Sequence, residues 1–216
     1  MIYFILLFIY VFDNIKFINF TYFKRKAMDK LKKIIVERGE IKEGNILKVD
    51  SFLNHQLDVG FLYEMGEEIY RLFKDINITK ILTIEVSGIA IAAMAALHFK
   101  VPVVFAKKSE SLNLDKDIYK GKVVSYTKNK EYNIMISKKY LNENDKLLII
   151  DDFLAEGNAI KALIGLAEQA GASVEGISIA IEKGFQNGGS YLRSMGYNLK
   201  CLATIEEMKD GKITFK

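Results

Sequence analysis

The stretch Leu147–Ala159, LLIIDDFLAEGNA, decides how the rest of the chain is read. Its first four residues, Leu147 to Ile150, are apolar without interruption, the pattern of a strand buried on both faces. Asp151 and Asp152 follow where that strand is expected to end. A short loop holding Gly157 leads into Ala159, Ile160, Ala162, Leu163, Leu166 and Ala167, whose spacing predicts a helix. In an open α/β sheet, ligands bind at the carboxyl ends of the strands. A helix start offers a phosphate unpaired N–H groups and the positive end of a dipole. A carboxylate pair repels a phosphate, but it accepts hydrogen bonds from vicinal sugar hydroxyls. Together these parts describe a site for a sugar bearing a terminal phosphate. Without further context the same residues also fit a solvated turn, with the aspartates capping a helix and Gly157 serving turn geometry alone.

A hydrophobic strand, an acidic pair and a small-x-Gly-x-small loop resemble the phosphoribosyl-pyrophosphate (PRPP) motif of type I phosphoribosyltransferases. LLIIDDFLAEGNA is closely similar to the version in bacterial xanthine phosphoribosyltransferases. The resemblance extends over nearly all of residues 28–216, through LKVDSFLNHQLD, TIEVSGIA, VPVVFAKKSESL and AIEKGFQ in order. It implies the α/β type I phosphoribosyltransferase fold: a central, mainly parallel sheet flanked by helices, an N-terminal hood over the base, and a flexible lid. The implied reaction moves the 5-phosphoribosyl group from PRPP to xanthine, giving xanthosine 5′-monophosphate and pyrophosphate in purine salvage. Mg²⁺ is implied as a cofactor bound with PRPP, without a dedicated protein site. Asp151 and Asp152 then hold the ribose hydroxyls and set negative charge beside the cationic sugar. Ala155, Glu156, Gly157, Asn158 and Ala159 hold the 5′-phosphate. Glu156 departs from the family, which usually has a neutral polar residue there, so its side chain is expected to turn away from the phosphate.

Other segments fit this frame. Lys80–Val86 reads as a strand, Ser87 and Gly88 as a turn, and 89–98 as an alanine-rich helix. A glycine turn into a helix is a second anion nest, and in the resembled family it holds the pyrophosphate. Val86 replaces the family's usual small polar residue. Pro102–Ala106 reads as the next strand, with Lys107 and Lys108 at its end to neutralise the leaving pyrophosphate. Residues 109–130 are polar and suit a lid, with Val123, Ser125, Tyr132, Ile134 and Ile136 alternating like a hairpin stem.

Near the start, Leu31, Ile34, Ile35 and Val36 mark the apolar side of a first helix ended by Gly39. Asn54, His55 and Gln56 inside an apolar stretch suit a pocket wall, while Ser51 or Asp58 can cap the following helix, 58–74. Residues 174–181 form another buried strand, delivering Glu182, Lys183 and Phe185 to its end. Phe185 can stack on a purine. Lys183 can meet a ring carbonyl or anion, which favours the readily deprotonated xanthine. The bland reading is a Glu182–Lys183 surface couple. The resemblance places Leu47, Asn54 and Lys183 at base contacts. Tyr191–Gly196 and Leu199–Thr204 read as a last helix and strand.

A chain of 216 residues suits one α/β domain. Its 31 basic and 27 acidic residues nearly balance, so no nucleic-acid surface is implied. The lone Cys201 rules out an intramolecular disulfide and suits a buried, inert thiol in a cytoplasmic protein; with only two histidines, a His/Cys metal centre is not expected. Residues 1–27 differ from the rest, opening on the apolar 1–12 and closing on Lys24-Arg25-Lys26. The apolar run is shorter than the roughly 20 residues that span a bilayer, and it lacks the form of a secretory signal. The expectation is a mis-called extension before a single domain at 28–216, the alternative a membrane-anchor-like segment. No membrane partner is expected, and a homodimer is. Salvage of guanine, hypoxanthine or adenine, and a non-catalytic PRPP-sensing regulator, remain as alternatives.

Overall fold

In the computed structural model, which describes residues 28–108, 117–125 and 130–216, Leu147–Ile150 lies at the middle of the molecule with all four side chains fully buried. Each such burial is worth roughly 1.5–3 kcal/mol. Leu147 and Ile149 face one core cluster while Leu148 and Ile150 face the other, the alternation a strand imposes.

The described chain opens with helix α1 (28–38) and the antiparallel hairpin β1 (Glu40–Lys42) and β2 (Ile46–Lys48). A single π-type turn over Asp50–Asn54 leads to α2 (Val59–Phe73), capped by Asp58, whose carboxylate accepts from the Phe61 N–H at 3.1 Å. Then follow β3 (Lys80–Ile84), α3 (Ser87–Phe99), β4 (Val103–Ala106), the hairpin β5 (Ile118–Ser125) and β6 (Lys130–Ser137), and β7 (Lys146–Leu154). The chain closes with α4 (Asn158–Ala170), β8 (Ser173–Lys183), α5 (Asn187–Ser194), β9 (Leu199–Lys209) and β10 (Lys212–Phe215).

Six strands make the main sheet in the order β10-β9-β8-β7-β3-β4, parallel throughout except for β10 on β9. After β3 the chain moves through α3 to β4 on one side; after β7 it moves through α4 to β8 on the other. The strand order therefore reverses between β3 and β7, and a crevice opens at their carboxyl ends. One core cluster joins α1, α2 and α3 to the sheet, and the second joins α4 and the β5–β6 hairpin to its opposite face. Among the described residues no helix is long and apolar enough to cross a membrane.

Several boundaries differ from expectation. β7 continues past Asp151 to Leu154, because β8 still pairs with it there (Phe153↔Ile181, Leu154↔Glu182), whereas pairing with β3 stops at Ile149. Within the expected lid, Ile118–Ser125 is a strand paired along its whole length with β6. Positions 109–116 and 126–129, like 1–27, lie outside the described residues. The last helix is Asn187–Ser194 rather than 191–196, starting at a Gly-Gly pair that propensity alone disfavours. Val36 faces solvent at 62% exposure instead of joining the apolar side of α1. His55 and Gln56 are exposed and do not line an interior wall.

Helices α2 and α3 meet where Gly66 lacks a side chain: a Cβ there would come within 2.6 Å of the Met94 carbonyl carbon and 2.7 Å of the Ala95 nitrogen. Backbone cannot step aside as a side chain can. Gly66→Ala is therefore expected to lower unfolding free energy by about 1–3 kcal/mol in urea. Gly60→Ala, in the same helix with only an Asp58 oxygen at 3.8 Å, should be neutral or stabilising.

Candidate active site

The acidic pair sits at the switch point. Asp151 is buried, and Asp152 is partly so. The carboxylates bind their own strand: the Asp152 N–H donates to Asp151 Oδ1 at 3.0 Å, and the Phe153 N–H to Asp152 Oδ1 at 2.9 Å. Burial pushes the Asp151 carboxyl well above its ordinary range, and the neighbouring Asp152 charge pushes it further. Asp152 is also raised by burial, with the Ser87 hydrogen bond among the forces opposing the rise. Lys108 offsets part of the Asp151 shift by its charge.

Three loops converge on this pair. The first is 155–157, ending in Gly157 at φ +78°, which presents the first turn of α4. The left-handed conformation explains the glycine. The second is the turn from β3 into α3. A Cβ on Gly88 would overlap Thr83 Oγ1 and stand 3.1 Å from Asp151 Oδ1, so the bare backbone lets α3 start against the carboxylate. The Glu85–Val86 peptide bond is cis, and Val86 is 73% exposed. The third is the end of β4, where the Lys108 N–H donates to Glu85 Oε1 at 2.5 Å. Lys107 exchanges backbone hydrogen bonds with Met135 at 3.0 Å each way. The β5–β6 hairpin comes over the same place: the Tyr132 hydroxyl is raised by burial and by the Asp151 charge, and the Lys108 ammonium lies 5.3 Å from the Tyr132 ring centre.

The base-side residues come from both ends of the chain. Lys183, at the end of β8, donates to the Asn45 carbonyl in the β1–β2 turn at 2.9 Å and lies 6.0 Å from the Phe153 ring centre. Burial lowers its ammonium pKa. Leu47 on β2 is buried, while Phe185 is 38% exposed. Asn54 Oδ1 is buried without a hydrogen-bond partner, as is Gln186 Oε1. A buried acceptor without a donor is costly and fits a ligand N–H. Glu182 does not couple to Lys183; it is buried and forms a bidentate pair with Arg193, at 2.6 and 2.8 Å. Burial raises the Cys201 thiol pKa, in keeping with an inert sulfur.

No local pattern marks Asn45, Glu85, Gly188 or Arg193 as site neighbours, because each reaches the site by a contact made in the fold. A cavity of about 530 Å³ runs beside the β4 edge, lined by Val103, Val104, Phe105, Ile136 and Tyr140; of the candidate residues only Lys107 reaches it. The converging loops are the better candidate, since they bring together groups that can act on a phosphorylated sugar. Among the described residues no group of three or more His, Cys, Asp or Glu side chains is placed to hold a metal.

A family model described as a phosphoribosyl transferase domain matches residues 50–202. Xanthine phosphoribosyltransferase 1 of Clostridium perfringens is 54% identical over 190 residues, which is 88% of this chain and all of the relative. The xanthine phosphoribosyltransferase of Bifidobacterium adolescentis is 55% identical over 192 residues, again 88% of this chain and all of the relative. Among solved structures, the adenine phosphoribosyltransferase of Thermoanaerobacter pseudethanolicus superposes with a TM-score of 0.68 over 82% of this chain and 99% of its own, at 22% identity.

Folding holds the Asp151 and Asp152 protons more tightly than the unfolded chain does. This part of the stability is therefore full below the ordinary carboxylate range and is lost as pH rises through the folded-state values. Asp151→Asn should then gain in urea stability over the parent chain as pH rises from about 4. A difference that stays constant with pH would overturn the assignment.

Proposed function

Since this chain belongs to the phosphoribosyltransferase family, we propose that it transfers the 5-phosphoribosyl group of PRPP to xanthine, giving xanthosine 5′-monophosphate and pyrophosphate. The choice of base rests on relatives over 50% identical that carry the name xanthine phosphoribosyltransferase. The observation that carries the chemistry is the meeting of the buried aspartates, the Gly157 loop and the Ser87–Gly88 turn at one switch point.

In this reading the backbone of Ala155–Ala159 holds the 5′-phosphate at the start of α4. Asp151 and Asp152 accept hydrogen bonds from the ribose hydroxyls. A xanthine ring nitrogen attacks the anomeric carbon as its bond to the pyrophosphate oxygen breaks. Positive charge builds on the sugar and negative charge on the leaving group. The aspartates lie beside the first, and the α3 start with Lys108 beside the second, while Lys107 lines the β4-edge cavity instead. Burial raises the Asp151 pKa and so favours the protonated carboxyl, and a cationic sugar beside it opposes that rise and favours the carboxylate. Mg²⁺ bound to PRPP supplies charge neutralisation to the leaving group, and two carboxylates form a donor set too small for a resident ion but suited to one arriving with substrate.

At the other end of the pocket, Asn54 Oδ1 accepts from the base, Lys183 exchanges Asn45 for a base oxygen or anionic nitrogen, and Leu47 and Phe185 bound the ring. The protein works in the cytoplasm as a homodimer, with Val59, Tyr63 and Leu97 on α2 and α3 as exposed apolar surface available to a second copy. The working domain is 28–216.

Supplied with PRPP, Mg²⁺ and one purine at a time, the protein should convert xanthine in preference to guanine, hypoxanthine and adenine. Turnover of another purine instead would discard the base-pocket assignment, and PRPP binding without turnover would favour a regulator. Lys183→Gln should lower kcat/KM for xanthine by about 10- to 100-fold, the worth of a hydrogen bond from a charged donor. Glu156→Asn should leave PRPP affinity unchanged if the native side chain faces away from the phosphate; a large gain in affinity would contradict that.

A further inference from the structure

α5 starts with two adjacent glycines, and each has a separate steric reason. A Cβ on Gly188 would overlap the Ala155 carbonyl oxygen and come within 2.7 Å of the Gly157 nitrogen. The bare Gly188 backbone instead lies under the loop, its N–H donating to that same Ala155 carbonyl at 2.9 Å. A Cβ on Gly189 would overlap Glu182 Oε1 and come within 2.6 Å of Arg193 Nη1. The first turn of α5 thus touches the 155–157 loop on one side and the Glu182–Arg193 pair on the other.

That pair is built to hold its place. The Glu182 carboxylate receives both arms of the Arg193 guanidinium and the Thr204 hydroxyl, at 2.9 Å. Arg193 Nη2 also contacts Cys201 Sγ at 3.9 Å. Burial works against the carboxylate's charge, yet the Arg193, Cys201 and Thr204 hydrogen bonds and the Arg193 charge bring its pKa below the ordinary value. In the sheet, Glu182 is in register with Leu154, the residue immediately before the loop. Outside this cluster, the Lys161 ammonium of α4 sits 4.3 Å from the ring centre of Tyr191 of α5.

We propose that Arg193 is a positioning residue for PRPP: by clamping α5 to the end of β8 through Glu182, it fixes Gly188 beneath Ala155–Gly157 and so sets the loop that receives the 5′-phosphate. Arg193 touches neither substrate, and its effect passes through one helix turn. The proposal rests on the reading that this loop holds the phosphate. A misplacement of about 1 Å in such a cradle can cost on the order of 100-fold.

The test compares the parent chain with Arg193→Ala, Arg193→Lys, Thr204→Val and Gly157→Ala, measuring KM for PRPP, KM for xanthine, kcat, PRPP binding by calorimetry, and unfolding temperature. Arg193→Ala should raise the PRPP KM and dissociation constant by about 10- to 100-fold, with the xanthine KM within about twofold. Arg193→Lys, which keeps the charge but loses the bidentate fork, should recover only part of the loss. Should Arg193→Ala fail to fold, Arg193→Lys and Thr204→Val must show the same selective rise at smaller size. A lowered unfolding temperature with both KM values unchanged, or both raised in parallel, would overturn the proposal and leave Arg193 a purely structural residue. Gly157→Ala separates the two layers. If it weakens PRPP while the Arg193 and Thr204 variants do not, the positioning role fails alone; if it leaves PRPP binding intact, the loop reading fails and takes the proposal with it.

Discussion

Two adjacent carboxylates are held near the interior at the end of a central strand, and most of the site follows from that constraint. An ionised pair in such a place is costly unless other groups answer it. Here the answer is partial: the strand's own N–H groups, the Ser87 hydrogen bond and the charge of Lys108 oppose the burial of the pair without cancelling it. The remaining cost is borne by the sheet, whose central run Leu147–Ile150 is buried on both faces and cannot move to relieve it. An under-compensated negative site in a rigid frame is suited to a ligand that becomes cationic as it reacts.

The surfaces proposed to face phosphate are made largely of backbone. Gly188 brings main chain against main chain at a distance no side chain permits, Gly88 leaves no room for a Cβ beside the Thr83 hydroxyl, and Gly157 supplies a left-handed turn. This leaves N–H groups available to an anion at two helix starts, α3 and α4, on opposite faces of the sheet. A site assembled this way depends less on which side chains line it than on how closely its loops are packed. Val86 and Glu156 are therefore compatible with such a site, provided their side chains stay out of the cradle.

The end proposed to receive the base obeys different physics. It is closed by a hairpin from the N-terminus, joined to the sheet through Lys183 and the Asn45 carbonyl. Asn54 Oδ1 lies buried without a hydrogen-bond partner. Fold alone does not choose a base: a solved adenine phosphoribosyltransferase shares this architecture at 22% identity.

Sequence alone determined the parts whose signal is local. An unbroken apolar run, an acidic pair and a glycine before an amphipathic helix mark β7, its acidic end and α4, because strand burial, helix period and left-handed turns each leave a pattern within a dozen residues. The same holds for the order of the parallel strands' segments, and for a cap before α2 at Ser51 or Asp58, of which the fold uses Asp58. What only the tertiary structure decided depends on neighbours far apart in the chain. β7 extends past its aspartates because β8 continues beside them. Glu182 answers Arg193 rather than Lys183, since α5 folds back across the end of the strand. Lys183 meets Asn45, from the opposite end of the chain, and Gly188 supports a loop more than thirty positions upstream. Such contacts carry no periodicity and no short motif; they arise when separate elements are packed, and a linear reading does not contain them.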